Sequence, residues 1–259
     1  MLATSFVNVP GQELECVRIG SDRAGPTLVF LHEGLGSVAS WRDFPRRVAD
    51  VTGRPVLVYS RAGYGRSSRL ASPRTPRYMH DEALITLPAL LDALAISDPI
   101  LIGHSDGASI ALIHAGSGIR PVRAVVAMAP HVFVEALSIS GIEKAKEAFE
   151  RTDMRDLRAR LGRYHADADA AFRGWNDVWL SPGFRDWNIE YSLPGIGCPL
   201  LLIQGRDDEY GTMAQLDAIE RGVSRTTERV ELDACGHSPQ RDQPEATLAA
   251  IAGFVAALR

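Results

Sequence analysis

The stretch Leu101-Ile-Gly-His-Ser-Asp-Gly-Ala108 decides how this chain is read. An apolar run, Pro99 to Ile102, leads into it, and a run of small and apolar residues, Ala108 to Ala115, leaves it. Gly103-His-Ser-Asp-Gly107 fits G-x-S-x-G, a spacing that carries meaning only where a strand turns sharply into a helix. Both flanks have that character here. Such a turn strains the serine backbone, and glycines two before and two after let strand and helix approach. The Ser105 oxygen would then project beyond the sheet. The Asp106 N–H would lie at a helix N-terminus, where a developing anion is stabilised.

Working outward, the same strand–helix rhythm recurs. Ser5 to Val9 and Glu13 to Ile19 alternate apolar and polar residues around Pro10-Gly-Gln12, which reads as a half-exposed hairpin. Thr27 to Leu31, Pro55 to Tyr59, Ile100 to Ile102, Val122 to Met128 and Pro199 to Ile203 are nearly continuous apolar runs, as strands covered on both faces are. Arg229 to Leu232 is a weaker copy. Helical spacing marks Ser40 to Thr52, Tyr78 to Ile96 and Pro244 to Leu258 between and after them. The expected fold class is therefore α/β, a mostly parallel central sheet with helices on both faces.

One interval breaks the rhythm. Pro130 to about Ile196 is too long for a plain loop. It carries helical patterns at Ile142 to Thr152, Met154 to Tyr164 and Ala166 to Trp179. It reads as a helical insertion over one end of the sheet. The expected organisation is a core in two parts, 1–130 and 197–259, with the insertion at 131–196.

Composition narrows the function classes. At 259 residues and 46% hydrophobic, the chain can bury a large core. Its net charge of −4 is spread along the chain, so neither a nucleic-acid partner nor an acidic interaction tail is expected. Three scattered cysteines, Cys16, Cys198 and Cys235, suggest neither a zinc ribbon nor a disulfide framework. No signal-peptide pattern or apolar run of membrane length is visible, so the expected setting is the cytoplasm, away from membranes.

A serine hydroxyl needs a base to become a nucleophile, so a histidine and an acid should follow at later strand ends. Of seven histidines, His237 in Ala234-Cys-Gly-His-Ser-Pro239 is the best placed, after the last strand. His131 competes, because it too follows a strand. The other five are read as structural or exposed, with no metal-ligand spacing. For the acid, Asp207, Asp208 and Glu209 all follow the strand ending at Ile203.

These motifs together resemble the α/β-hydrolase fold superfamily, in its branch of capped serine hydrolases, over nearly the whole chain. Serine, acid and histidine come in the order that fold uses. The resemblance implies Ser105, Asp208 and His237 as a catalytic triad: the family acid sits three residues after a glycine, here Gly205, with Asp207 as the fallback, and the family histidine lies in a G-H-x-P-like loop. Ser60-Arg-Ala-Gly-Tyr-Gly-Arg-Ser-Ser68 resembles the R-G-x-G-x-S loop, which is structural in the family. Leu31-His-Glu-Gly-Leu-Gly-Ser37 stands where the family carries H-G-x-G, with Glu33 in place of a glycine. By register Gly34 takes the second oxyanion-donor position beside Asp106, with Glu33 the alternative.

The family then implies hydrolysis of a small, largely apolar ester through an acyl-enzyme, with a small molecule as partner and no cofactor or metal. Carboxylesterase leads. C–C hydrolase, lactonase, amidase and perhydrolase are the rivals within the fold, and a small-molecule receptor that keeps the triad is the rival outside it. Epoxide hydrolases and haloalkane dehalogenases place aspartate at the elbow, where this chain has Ser105. Two acids, Glu33 and Asp106, flank the expected hole, so their side chains should point away or serve another group. Trp175, Trp179 and Trp187, three of the four tryptophans, fall in the insertion. With Glu33 and His131 they are the candidate pocket residues. Trp187 and Tyr191, four apart, would share a face if helical.

Overall fold

The computed structural model describes residues 4–151 and 157–258. Among these residues eight strands form one sheet: β1 (Thr4–Val9), β2 (Gln12–Ile19), β3 (Leu28–Leu31), β4 (Val56–Tyr59), β5 (Ile100–His104), β6 (Ala124–Met128), β7 (Leu200–Gly205) and β8 (Thr227–Leu232). Their spatial order is β1-β2-β4-β3-β5-β6-β7-β8. The β1–β2 hairpin is antiparallel and joins β4 antiparallel, while every pair from β4 to β8 is parallel. The α/β class and the mostly parallel sheet expected above are the observed ones.

Among the described residues ten α-helices surround it: α1 (Phe44–Thr52), α2 (Tyr78–Asp81), α3 (Leu87–Ala93), α4 (Asp106–Ser117), α5 (Ala136–Glu150), α6 (Leu157–Leu161), α7 (Ala168–Trp179), α8 (Ala214–Gly222), α9 (Pro239–Asp242) and α10 (Pro244–Ala257). The apolar runs explain the two layers. Because successive strand residues face opposite sides, Leu28 and Phe30 of β3 join the core with α1 and α10. Val29 and Leu31 join the other core, with α3, α4 and α8. Helix α4 is buried nearly all round, as the run after Gly107 demands. It packs on β3, β5 and β6, so the elbow at its start is held in the middle of the sheet.

Several helix boundaries differ from the sequence expectation. Ser40 to Thr52 is a 3-10 turn at Ala39–Trp41 and then α1, separated by Arg42 at φ 55. Tyr78 to Ile96 is α2, a π-helical turn at Glu82–Thr86, and α3, with Pro88 in the first turn of α3. Helix α8 has no counterpart in the sequence expectation, since only Leu216 and Ile219 mark its buried stripe strongly. Between β6 and β7 stand α5, α6 and α7. Helix α5 begins at Ala136, ahead of the expected Ile142; Thr152 and Met154 to Asp156 of the expected helices lie outside the described residues. Trp187 and Tyr191 do not share a helical face. Trp187 is 6% exposed and Tyr191 69%, because the chain there forms a short 3-10 turn, Glu190–Gly195, that starts beyond Trp187 and contains Pro194. Among the described residues no helix is long and apolar enough to cross a membrane.

Candidate active site

The loops that leave the C-terminal ends of the parallel strands converge on Ser105. This is where open α/β sheets gather ligands, because helix N-termini and strand-end loops open there. Ser105 sits between β5 and α4 at φ 53 and ψ −119, a strained backbone for a residue with a side chain, costing about 1–3 kcal/mol. Its N–H donates to the Met128 carbonyl at 2.9 Å, which ties the turn to β6. The flanking glycines are required by space. A Cβ at Gly107 would strike the Leu31 carbonyl, and one at Gly103 would strike the Gly107 carbonyl. Asp106 is the first residue of α4, so its N–H has no earlier turn to bond with.

His237 and Asp208 meet Ser105 from two later strand ends. His237 Nε2 lies 2.9 Å from Ser105 Oγ, and its Nδ1 lies 2.8 and 2.9 Å from the two Asp208 oxygens. Tyr210 N–H and Gly211 N–H donate to Asp208 Oδ1 at 2.8 and 3.2 Å, which fixes the carboxylate. Asp207 is exposed and takes no part in this line. Burial works against charge on His237, and the Asp208 carboxylate more than offsets it, so the ring is held above the ordinary value of 6.5. Burial likewise opposes charge on Asp208, and the His237 contact outweighs it, so that carboxyl is lowered.

A cavity of about 210 Å³ opens over Ser105. Trp175 and Trp179 of α7 and Ile142 of α5 form its apolar side, with Leu35 from the loop after β3. His131 lines it too, 5.6 Å from the His237 ring between centroids. Burial and the His237 neighbour push His131 down to about 3, so it is a neutral wall residue. Trp187 is not among the lining residues. It stacks on Phe184 at 5.2 Å, behind Trp179, which corrects its expected place in the pocket.

The two acids flanking the expected hole have different fates. Asp106 is fully buried, and its Oδ2 accepts from Tyr78 Oη at 2.6 Å, which in turn accepts from Trp179 Nε1 at 3.0 Å. Arg61 approaches the same carboxylate at 3.7 Å. Glu33 reaches the cavity and lies 3.6 Å from His104 Nδ1. Burial opposes its charge, but the neighbouring His104 brings its carboxyl down to about 2. Gly34 is covered by the Trp175 indole, which a Cβ there would strike. Among the described residues no group of three or more His, Cys, Asp or Glu is disposed to hold a metal ion.

A model of the alpha/beta hydrolase family matches residues 28–251. The chain belongs to the alpha/beta hydrolase family. It is 31% identical over 168 residues to an epoxide hydrolase of Caballeronia sordidicola, covering 63% of this chain and 47% of that protein. It is 34% identical over 85 residues to an sn-1-specific diacylglycerol lipase of Danio rerio, covering 33% of this chain and 25% of that protein. The chain thus spans less than half the length of these curated relatives. The fold is also similar to the enol-lactonase from Burkholderia xenovorans LB400, with TM-score 0.75, 19% identity, and 97% and 100% of the two chains covered.

In this alpha/beta hydrolase the sequence reading missed several wall residues. His104 lies inside the G-x-S-x-G motif, where the sequence suggests a structural or exposed residue, yet its Nε2 donates to the His237 carbonyl at 2.6 Å and it lines the cavity. Its position beside Ser105 was the available signal. Tyr210 packs 4.8 Å from the His237 ring, and Arg241 stands at the cavity wall. Tyr210 is two residues beyond Asp208 on the same turn. Arg241 carries no such signal, because only the folded α9 brings it there.

Proposed function

We propose that the chain is a serine hydrolase that cleaves small, largely apolar carboxylic esters, with the interval 131–196 as a cap over the site. The observation that carries this reading is the unbroken line from Ser105 Oγ through the His237 ring to Asp208, at 2.9 and 2.8 Å, at the floor of an aromatic-walled cavity. In this reading His237 takes the Ser105 proton as Oγ attacks the ester carbonyl. The oxyanion rests on the Asp106 and Gly34 N–H groups, each worth about 3 kcal/mol. His237 then protonates the departing alcohol, and water releases the acid by the same steps. A carboxylesterase structure from the Thaumarchaeon Nitrososphaera gargenis shares the fold at TM-score 0.76 with 20% identity, covering 98% of both chains, and agrees with this class. A cavity of about 210 Å³ suits a short acyl group.

The test is steady hydrolysis of short p-nitrophenyl esters followed against pH. Catalysis needs neutral His237, whose pKa is raised. Activity is therefore full above that pKa and lost as pH falls through it, so the acid limb of kcat/KM should inflect above 6.5. An acid limb below 6.5 overturns the raised pKa of His237, and no turnover on any short ester rejects the reading.

Glu33 gives a second expectation. It is ionised in any ordinary assay and faces the cavity. Glu33→Gln should raise kcat/KM for esters with a carboxylate tail relative to neutral esters by about 5-fold, the effect of removing roughly 1 kcal/mol of repulsion. An unchanged ratio removes Glu33 from substrate selection.

A further inference from the structure

The peptide joining Glu33 and Gly34 is trans, so the Glu33 C=O and the Gly34 N–H point in opposite directions. Whatever holds the carbonyl aims the amide. Three donors hold it: His32 Nδ1 at 2.7 Å, Arg61 Nη2 at 2.8 Å and the Gly36 N–H at 3.1 Å. Two of the three depend on Arg61. Its backbone N–H donates to His32 Nε2 at 3.0 Å, so Nε2 must carry the lone pair and Nδ1 the proton. That tautomer is the one able to donate to Glu33. Burial and the Arg61 charge hold His32 well below the usual imidazole value, so it keeps this neutral form.

The other end of the guanidinium faces the second donor segment. Arg61 Nη1 lies 3.7 Å from Asp106 Oδ2, at the start of α4. Arg61 and His32 are both fully buried. An arginine taken wholly out of water is costly unless its partners repay it, and removing either side leaves a buried charge exposed to that cost. Here the partners are the two chain segments that flank Ser105.

We propose that Arg61, acting with His32, is a positioning residue that aims the Gly34 N–H at the oxyanion and fixes the start of α4 beside it. The proposal rests on the serine hydrolase reading with Gly34 and Asp106 as donors. Arg61 touches no substrate. It acts through the Glu33 carbonyl and the Asp106 carboxylate. A donor turned away from the oxyanion is lost to the transition state and not to ground-state binding, so the defect should fall on kcat.

The experiment uses R61K, H32A and H32N with a short p-nitrophenyl ester and a short alkylboronic acid, which forms a tetrahedral adduct on serine. In R61K, kcat should fall about 10- to 100-fold with KM within about 3-fold, and boronate affinity should fall by the same factor as kcat/KM. Asparagine can place its amide N–H near the position of His32 Nδ1, so H32N should retain several-fold more kcat than H32A. Wild-type kcat and boronate affinity in folded R61K would overturn the proposal. So would losses confined to melting temperature and KM. If R61K does not fold, equal kcat in H32N and H32A overturns it. If wild type hydrolyses no ester, the hydrolase reading fails on its own. A crystal structure of R61K, or of H32A if R61K does not fold, then decides this one, since an unturned Gly34 peptide contradicts it and a turned one supports it.

Discussion

Ser105→Ala should lower ester turnover by about 10⁶-fold while leaving the protein folded. In the proposed reading, the substitution removes the oxygen that forms the acyl bond. It leaves the β-carbon, so the strained turn at φ 53 keeps its shape and its N–H still reaches the Met128 carbonyl. The lost contact is the 2.9 Å hydrogen bond to His237 Nε2, which contributes about 1 kcal/mol to stability. Initial rates on p-nitrophenyl acetate, beside a thermal melt, make the comparison. A rate within tenfold of wild type would mean that Ser105 is a turn residue and that hydrolysis, if any, proceeds elsewhere.

Asp208→Asn should cost about 10⁴-fold in kcat, and Asp207→Asn less than about 3-fold. The reason is the tautomer. Tyr210 N–H and Gly211 N–H both donate to Asp208 Oδ1. An asparagine there would keep its oxygen toward those donors and turn its NH₂ to His237 Nδ1. The ring proton would then sit on Nε2, facing Ser105 Oγ, and His237 could no longer accept the serine proton. Asp207 is exposed, and its tie to the site is its backbone N–H to the Cys235 carbonyl at 3.0 Å, which the substitution keeps. Equal losses in the two variants would return the acid to an open choice.

The elbow was legible because its constraints are local. Gly103, Ser105 and Gly107 lie on one short segment, and the collisions that forbid side chains at the glycines arise from the strand and helix that the same segment builds. The parallel strands were legible for a similar reason, since burial on both faces demands unbroken apolar runs such as Leu28–Leu31 and Val56–Tyr59. Local pattern also misled. The four-residue spacing of Trp187 and Tyr191 invited a shared helix face, but the chain there is not an α-helix, and the two rings ended on opposite sides of the surface.

By itself, the sequence determined the α/β class, the strand order along the chain, the sharp turn at Ser105 and the identities of the residues that could serve it. Only the tertiary structure decided which of Asp207, Asp208 and Glu209 meets the His237 ring, that Asp106 is spent on Tyr78 and Arg61, and that Arg61 joins the loop at Glu33 to the start of α4. Those choices depend on distances between segments up to 132 residues apart, as for Ser105 and His237. Periodicity and turn chemistry report what a residue does to its own segment. The direction of a carboxylate or a peptide N–H is set by donors on other strands' loops, and these become neighbours only when the sheet closes.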